Sequence, residues 1–338
     1  MSQPALSGAG GSATLDAVDR RLLDLLQSEF PLVAQPFAVL AQRLGISEEE
    51  LLDRARALRE SGVLRHLSAI FDVYRVGYRS TLVAFSVPEE RLNQAAAAVS
   101  AHPGVSHNYG REHEYNLWFV LAVPRSGDLE GEVTLLAEKT GAVRYHILPA
   151  LELYKIDVEF DMVNGEGNKG QRSQGRKARR RDLTADEVEM VRALQEDLLL
   201  VSRPFAAAAT ALGMSEDELV ARAEALREEG IMRRFAAVLR HRIAGFAANG
   251  MTCWIVPKER LEEVAAKFAS YPQVSHCYRR PTFDDWPYNV FTMIHAQTRE
   301  KCEETVRKIA ADAGVHDYAI LYSHTEYKKE RVKYYGLR

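Results

Sequence analysis

Two short stretches bring histidine, tyrosine and arginine together at matching positions. The first, residues 107–118, reads HNYGREHEYNLW and leads into an apolar run. The second begins at His276 as HCYRRP and continues through Tyr288 and Asn289 into another apolar run. Histidine exchanges protons near neutral pH, arginine binds carboxylates, and tyrosine donates or accepts hydrogen bonds. A single copy is equally typical of a polar strand end facing solvent, but two copies in register favour a functional site.

The match between the two stretches extends over most of the chain. Landmark residues recur at a constant offset, which grows by one residue before His107 and by four more before Tyr115. The matched pairs include Pro36 with Pro204, Gly62 with Gly230, Tyr115 with Tyr288, Tyr145 with Tyr318, and Lys155 with Lys328. The chain is therefore a tandem duplication of a module of roughly 150 residues.

Composition excludes several classes of protein. The 338 residues are 46% hydrophobic and carry a net charge of −3, so the bulk charge does not favour a polyanionic partner. No apolar run approaches the roughly 20 residues that span a bilayer, and residues 1–14 resemble a disordered tail rather than a signal peptide. The three cysteines form no CxxC pair, which indicates a reducing cytoplasm and no zinc site. We therefore expect a cytoplasmic protein with no membrane partner.

Each module begins with a helix-turn-helix pattern. Apolar spacing predicts helices over 15–26, 37–44 and 48–61, followed by a wing strand over 63–70. Ser47 is placed to cap the third helix in a capping box with Glu50, and Gly62 is placed to stop it. The pattern predicts a winged helix-turn-helix over 15–75, and its copy over 183–243.

An α+β pattern follows in each module. Strands are predicted over 81–87, 143–148 and 154–160, helices over 88–100 and 130–140, and a turn and strand over 107–123. This order predicts a ferredoxin-like βαββαβ domain over 76–162, with a copy over 244–338 that ends in a strand at 325–334. Between the modules, the basic segment 163–182 is rich in Gly, Asn and Gln, holds seven Lys or Arg residues, has too few apolar residues to build a core, and is predicted to be a flexible linker.

A winged helix-turn-helix followed by a ferredoxin-like domain resembles the Lrp/AsnC family of amino-acid-responsive regulators. In such proteins the start of the third helix enters the major groove. Here that helix begins Ser47-Glu-Glu-Glu, and its copy begins Ser215-Glu-Asp-Glu. Three carboxylates would then face the phosphate backbone and be repelled by it. Their stabilising effect on the helix N-terminus explains their presence without a binding role. We therefore expect no specific DNA binding.

The two signature stretches carry a second resemblance. RxHxYNxWF in the first half and CYRRPxxxDWPYNxFxMIH in the second are similar to the paired subunits of siroheme decarboxylase, fused here in one chain as in the NirD–NirL type. The resemblance implies a carbon–carbon lyase that removes carbon dioxide from the C12 and C18 acetates of siroheme. The product would be 12,18-didecarboxysiroheme, for haem d1 or alternative haem biosynthesis. No cofactor is implied beyond the iron of the substrate, and no resident metal.

Roles for individual residues follow from the implied reaction. Losing carbon dioxide leaves carbanion character that a positioned acid must protonate, while the other carboxylates need cationic clamps. The predicted catalytic residues are His107, His113, Tyr115 and His146. The predicted substrate-binding residues are Tyr109, Arg111, Tyr145, Lys155, His276, Tyr278, Arg279, Arg280, Trp286 and Tyr288, with Lys328 as a weaker candidate.

The halves differ at their signatures, which favours one main site in the first module, completed by the second. The equivalent of His146 is Ala319, and only the second half contains the Asp284-Asp285-Trp286 loop, whose carboxylates are predicted to cap the loop. Trp118, Trp254 and Trp286 could wall a flat macrocycle or be ordinary core. Two alternatives remain open. One is a haem- or tetrapyrrole-sensing regulator, and the other is an amino-acid-responsive DNA-binding protein. The fused chain could also form a homodimer.

Overall fold

A computed structural model describes residues 15–156, 181–239, 248–296 and 298–336. The predicted tail at 1–14 and the linker up to residue 180 lie outside these ranges. In the part of the chain that is described, no helix is both long and apolar enough to cross a bilayer.

Both halves begin with the predicted winged helix-turn-helix. The first consists of α1 (Ala17–Ser28), α2 (Pro36–Leu44), α3 (Glu48–Glu60) and the wing β1 (Leu64–Phe71). The second consists of α6 (Ala185–Leu194), α7 (Ala206–Ala211), α8 (Glu216–Glu228) and the wing β7 (Met232–Leu239). Ser47 caps α3, and Gly62 follows it with a φ of 74°. The predicted capping box is incomplete, because the Glu50 carboxylate accepts a hydrogen bond from Arg54 instead.

The two helix-turn-helix units pack against each other. Their wings β1 and β7 form an antiparallel two-stranded sheet, and one continuous apolar core includes helices from both units. Helix α3 faces the other unit, where Arg56 and Arg59 donate hydrogen bonds to the carbonyls of Leu200 and Leu198. The helix that would enter a DNA groove in the Lrp/AsnC architecture therefore contacts the other unit through two of its arginines, while its buried face packs in the shared core.

The ferredoxin-like order is also confirmed in each half. The first domain contains β2 (Tyr78–Ser86), α4 (Leu92–Ser100), β3 (Val105–Arg111), β4 (Leu117–Pro124), α5 (Leu129–Thr140) and β5 (Arg144–Leu148), followed by β6 (Glu152–Ile156). The second contains β8 (Ala248–Trp254), α9 (Leu261–Ser270), β9 (Val274–Arg279), β10 (Val290–Ala296), α10 (Arg299–Ala313) and β11 (Tyr318–Lys329). The last strand thus begins well before the predicted 325–334.

The two domains exchange their final strands. Within the domains the orders are β5-β2-β4-β3 and β11-β8-β10-β9, as in a ferredoxin-like sheet. Strand β6 then leaves the first domain to pair with β9, and the far half of β11 leaves the second to pair with β3. The edge strand of each domain is consequently covered by the other domain.

The exchanged sheets enclose a shared inner core. The α4–α5 and α9–α10 pairs each cover one outer face, with separate apolar cores beneath them. Between the domains lies an inner core drawn from both halves, and it includes Tyr115, Trp118, Leu148, Cys253, Trp286, Phe291 and Leu321. Several of the residues predicted for the site lie in or next to this inner core.

Candidate active site

Matching β-bulges turn the signature residues towards the inside of the molecule. In β3 the register shifts between Val105 and His107, and β10 shows a matching shift opposite the start of β9. After the bulges, Asn108 and Cys277 bond to carbonyls of helices α4 and α9. Side chains alternate along a strand, so the intervening residues face inwards. These form two inner stripes, His107–Tyr109–Arg111 and His276–Tyr278–Arg280.

The arginine of the first stripe is buried and forms no ion pair with an acidic residue of the described ranges. Arg111 is 4% exposed and donates from Nη1 to the Leu321 carbonyl at 2.7 Å, with its guanidinium 5.6 Å from the Tyr109 ring. Its Nε has no hydrogen-bond partner in the described part of the chain. Burial lowers the pKa of Arg111 to about 10, because desolvation disfavours the charged form. An anion that reached this guanidinium would be bound strongly.

The second stripe repeats this arrangement around Arg280. Its Nη1 donates to the carbonyl of Leu148, the counterpart of Leu321, and its guanidinium lies 4.9 Å from the Tyr278 ring. Burial lowers the pKa of Arg280, and its Nε also has no partner among the described residues. No carboxylate of the described ranges forms an ion pair with either arginine. The stripes therefore present two cations with unused donors.

The stripe histidines are neutral near pH 7. His107 Nδ1 lies 2.9 Å from Ser106 Oγ, and His276 Nδ1 lies 2.8 Å from Ser275 Oγ. Burial, with nearby cations adding to it, lowers the pKa of His107 to about 3 and the pKa of His276 to about 4. Neutral imidazoles can accept a hydrogen bond or ligate a metal, but they hold no spare proton to give. A further histidine, His295, shares Ser275 at 2.8 Å and was missed by the sequence analysis.

A second group of side chains surrounds His146, and we call it the His146 cluster: Tyr115, Arg144, His146 and Asp285. The Asp285 carboxylate accepts hydrogen bonds from Tyr115 Oη at 2.5 Å, His146 Nε2 at 2.9 Å and Arg144 Nη1 at 3.3 Å. The Tyr115 hydrogen bond is the main cause that lowers the pKa of Asp285. Burial, with this carboxylate adding to it, raises the pKa of Tyr115. The cluster thus holds an ionised carboxylate between a phenol and an imidazole.

The His146 cluster and the stripes belong to one surface. Leu148 lies two residues after His146 on the same face of β5, and its carbonyl accepts the Arg280 hydrogen bond. Tyr115 and Trp286 pack with Leu148 in the inner core. The His146 cluster and the Arg280 guanidinium therefore lie next to each other between the two domains.

His113, one of the predicted catalytic residues, does not lie on the same strand face as Arg111. An extended strand would place Arg111, His113 and Tyr115 on one face, but β3 ends at Arg111. The chain then reverses, with the Arg111 N–H bonded to the Asn116 carbonyl. His113 Nδ1 accepts from the Tyr115 N–H at 3.1 Å, and its ring lies 5.3 Å from the Trp286 ring. Burial lowers the pKa of His113. Through its hydrogen bond from the Tyr115 N–H, this ring stabilises the turn beside the cluster.

Five predicted residues lie away from both groups. Tyr145 packs on Phe85 and reaches Thr134, and Arg279 is 39% exposed beside Glu152, because each is one residue from an inward-facing neighbour. Lys155 donates to the carbonyl at the end of α9, and Lys328 donates to carbonyls at the end of α4, where a cation stabilises the helix dipole. Trp254 packs on Phe268 in an outer core. The structure gives these side chains structural roles.

Three other aromatic residues do line the inner core. Trp118, Trp286 and Tyr288 are neighbours, with the two indoles 5.3 Å apart. The buried Trp286 Nε1 has no hydrogen-bond partner within the described residues. The sequence analysis missed the site roles of Arg144 and Asp285. The inserted loop in the second half was the signal for Asp285, but its contacts are with the first half.

The fold and the two groups define a class: a tandem Lrp/AsnC-type protein with two inward-facing arginines and a histidine–carboxylate cluster between its halves. Models of known families agree. The AsnC-like ligand binding domain matches residues 75–155 and 243–328, and the siroheme decarboxylase NirDL-like HTH domain matches 19–65 and 187–233.

Comparison with individual proteins identifies the family. Siroheme decarboxylase of Hydrogenobacter thermophilus is 41% identical, over 94% of each chain, and the siroheme decarboxylase NirDL subunit of Paracoccus pantotrophus is 36% identical, over 87% of this chain and 89% of the other. A crystal structure of the siroheme decarboxylase NirDL in complex with an iron-uroporphyrin III analogue matches with a TM-score of 0.72 at 37% identity, over 94% of each chain. The chain belongs to the siroheme decarboxylase family.

Proposed function

We propose that this chain decarboxylates siroheme at the C12 and C18 acetates and releases 12,18-didecarboxysiroheme, as a carbon–carbon lyase. Similarity to siroheme decarboxylases over nearly the whole chain supports this function. The structural observation that carries the proposal is the pair of arginines Arg111, which is buried, and Arg280, which is partly buried: neither forms an ion pair with a carboxylate of the described residues, and the Nε of each has no hydrogen-bond partner there. A substrate with eight carboxylates supplies the missing anions.

The reaction needs a proton at one place. When the bond between the acetate methylene and its carboxylate breaks, the electron pair passes into the conjugated ring, and carbon dioxide leaves. A proton delivered to the same carbon then completes a methyl group. His146 is the best-placed donor, because it is the only one of the four histidines predicted for the site that is hydrogen-bonded to a carboxylate within the described ranges.

The stripes are suited to binding rather than proton transfer. Arg111 and Arg280 would clamp substrate carboxylates, and Tyr109 and Tyr278 hold each guanidinium from one side. His107 and His276 are neutral, so they could accept hydrogen bonds or ligate the substrate's iron. We propose no cofactor beyond that iron.

The same structure argues against specific DNA binding. The start of α3 is acidic, and Glu48 accepts a hydrogen bond from Ser202 of the other helix-turn-helix unit. Basic residues further along α3 are engaged internally, including Arg54 with Asp16 and Asp19. A salt-dependent, sequence-selective shift of duplex DNA at physiological ionic strength would contradict this expectation.

One experiment tests the function directly. The purified chain is incubated anaerobically with siroheme, and the tetrapyrrole is analysed by mass spectrometry. Two losses of carbon dioxide per siroheme are expected, and none is expected with a His146→Gln, Tyr115→Phe double variant. Tight binding of siroheme without any mass loss would instead indicate a tetrapyrrole sensor.

Two further properties are part of the proposal. Cys253, Cys277 and Cys302 are buried free thiols, as suits a reducing cytoplasm. A homodimer of the fused chain also remains a prediction. Light scattering coupled to size-exclusion chromatography measures the mass that decides it.

A further inference from the structure

One loop of the second domain acts on the first. Residues 281–287 hold the four extra residues that distinguish the second signature from the first. In the structure this loop crosses to the first domain, and its carboxylate Asp285 meets Tyr115, Arg144 and His146. The sequence analysis treated this carboxylate as a cap for its own loop. Its three side-chain donors instead come from the other half of the molecule.

The loop is a rigid support for that carboxylate. Phe283 and Trp286 exchange both backbone hydrogen bonds, at 2.8 and 3.0 Å, and this closes a two-residue turn with Asp284 and Asp285 at its tip. Trp286 is 1% exposed and anchors the turn in the inner core. Because the turn is closed by these two hydrogen bonds and anchored by Trp286, the Asp285 carboxylate is fixed in position before any substrate binds.

The same loop also contacts the face of the imidazole. The Phe283 ring stacks on His146, with the centroids 4.1 Å apart and an interplanar angle of 18°. The Tyr115 ring approaches His146 at 4.7 Å. Because Asp285 accepts from Nε2, the ring has its Nε2 protonated and turned to the carboxylate, and Nδ1 is directed elsewhere. One short segment thus sets both the plane of the ring and the nitrogen that carries the fixed proton.

Among the described residues, the second domain has no equivalent of this arrangement. The residues equivalent to Arg144 and His146 are Asp317 and Ala319, and the turn opposite them, 112–114, is four residues shorter. Its first acidic residue, Glu112, pairs with Arg299 at 2.6 Å instead. In the described ranges, the first domain therefore has both the histidine and the carboxylate that orients it, whereas the equivalent place in the second domain lacks both.

We propose that Asp285 is a positioning residue for His146, supplied to the first domain's site by the second domain. This inference rests on the proposed function. The carboxylate stays ionised and holds the Nε2 proton, which leaves the opposite nitrogen, Nδ1, as the atom through which His146 delivers a proton to the substrate carbon. The negative charge of the Asp285 carboxylate, next to the Nε2 proton, favours a positive charge on the ring, which forms when solvent protonates Nδ1 before this transfer.

The test compares the two neighbouring aspartates of the turn. Asp285→Ala removes the acceptor, Asp285→Asn keeps an acceptor oxygen but loses the charge, and Asp284→Asn changes an exposed carboxylate on the same turn. Each full-length variant is assayed for single-turnover decarboxylation at saturating siroheme and for siroheme affinity. The state of the His146 ring is read from ¹⁵N–¹H correlation spectra, with His146→Gln to assign the signal.

The expected pattern separates positioning from structural damage. Asp285→Ala should slow single turnover roughly 10- to 100-fold, as for other partners that orient a histidine. Asp285→Asn should lie between it and the wild type, and Asp284→Asn should match the wild type. Siroheme affinity should be unchanged or higher in Asp285→Ala, because a carboxylate leaves the wall of a polyanion site. The Nε2-protonated signal of His146 should be lost in that variant.

Two results would overturn the inference. One is a wild-type turnover rate and unchanged His146 signal in Asp285→Ala. The other is a parallel loss of affinity and rate, which would indicate only a damaged fold. If the wild-type chain releases no carbon dioxide, the proposed function fails, and the ¹⁵N spectra alone still decide whether Asp285 fixes His146.

Discussion

Two consecutive arginines, Arg279 and Arg280, offer a matched test of the anion site. Arg280 points into the molecule, over the Tyr278 ring and onto the Leu148 carbonyl. Arg279 points outwards, is 39% exposed, and lies 3.8 Å from Glu152. We expect Arg280→Met to weaken siroheme binding strongly, and Arg279→Met to leave it almost unchanged.

The size of the effect follows from the burial of Arg280. A charge-assisted hydrogen bond to a carboxylate contributes about 1.5–3 kcal/mol, which corresponds to roughly 10- to 150-fold in Kd. The folded protein without substrate should tolerate the change. Methionine removes the cost of burying a charge, but it leaves the Leu148 carbonyl without its donor, at about 1–3 kcal/mol. These effects offset, so the free energy of unfolding should change by less than about 2 kcal/mol.

Anaerobic titration with siroheme, followed by absorbance, measures both affinities, and urea unfolding measures both stabilities. For the exposed Arg279, the pair with Glu152 contributes at most about 1 kcal/mol, so its variant also controls for the loss of one positive charge. Equal affinities of the Arg279 and Arg280 variants would refute the reasoning, whether both were weak or both were normal.

Three further predictions concern other parts of the molecule. His146→Gln should lower single turnover by roughly 10² or more, and His276→Gln should change mainly the siroheme Kd; a normal rate in the former would move the acid elsewhere. Acid should lower the free energy of unfolding from about pH 6.5 down to about pH 4. In this range His107, His276 and His295 are protonated in the unfolded chain, but burial lowers their pKa and keeps them neutral in the folded one. The free energy of unfolding should fall by up to about 1.4 kcal/mol per pH unit for each ring. The urea midpoint of His276→Gln should therefore depend less steeply on pH than that of the wild type. Trypsin cleavage within 163–181 should leave activity intact, and its loss on nicking would show that this segment is more than a tether.

Local signals in the sequence predicted the elements of the fold well. Ser47 and Ser215 cap the N-termini of α3 and α8, and Gly62 and Gly230, both at positive φ, follow the C-termini of the same helices. These features depend on neighbours within a few residues, so they can be read without knowing the rest of the structure. Because the two halves are repeats, each element predicted in the first half could also be predicted at the matching position of the second.

The faces of the strands were harder to predict. Simple alternation from Val105 would have placed His107 on the helix side of the sheet, but the bulge in β3 reverses the alternation before His107. A bulge depends on the strand opposite, which local patterns do not identify. For the same reason the sequence could not separate Arg280 from Arg279, or His146 from Tyr145, although each pair lies on opposite sides of the sheet.

Contacts between the two halves could not be predicted from the sequence. Tyr115 and Asp285 are 170 residues apart. The insertion at 281–287 marked the second half as different, but nothing in its sequence shows that it serves the first half. The exchange of β6 and β11 is equally invisible, because both strands read as the last strand of their own domain.

The strand exchange has a consequence for stoichiometry. Strand β6 completes the second domain and β11 completes the first, so neither half can cover its own sheet edge. Two copies of the first half could cover each other in the same manner, but they would combine two His146 rings with no Asp285. Two copies of the second half would combine two Asp285 turns with Ala319 at the position opposite. Only a one-to-one assembly contains the full set, and the single polypeptide guarantees that ratio each time the chain is made.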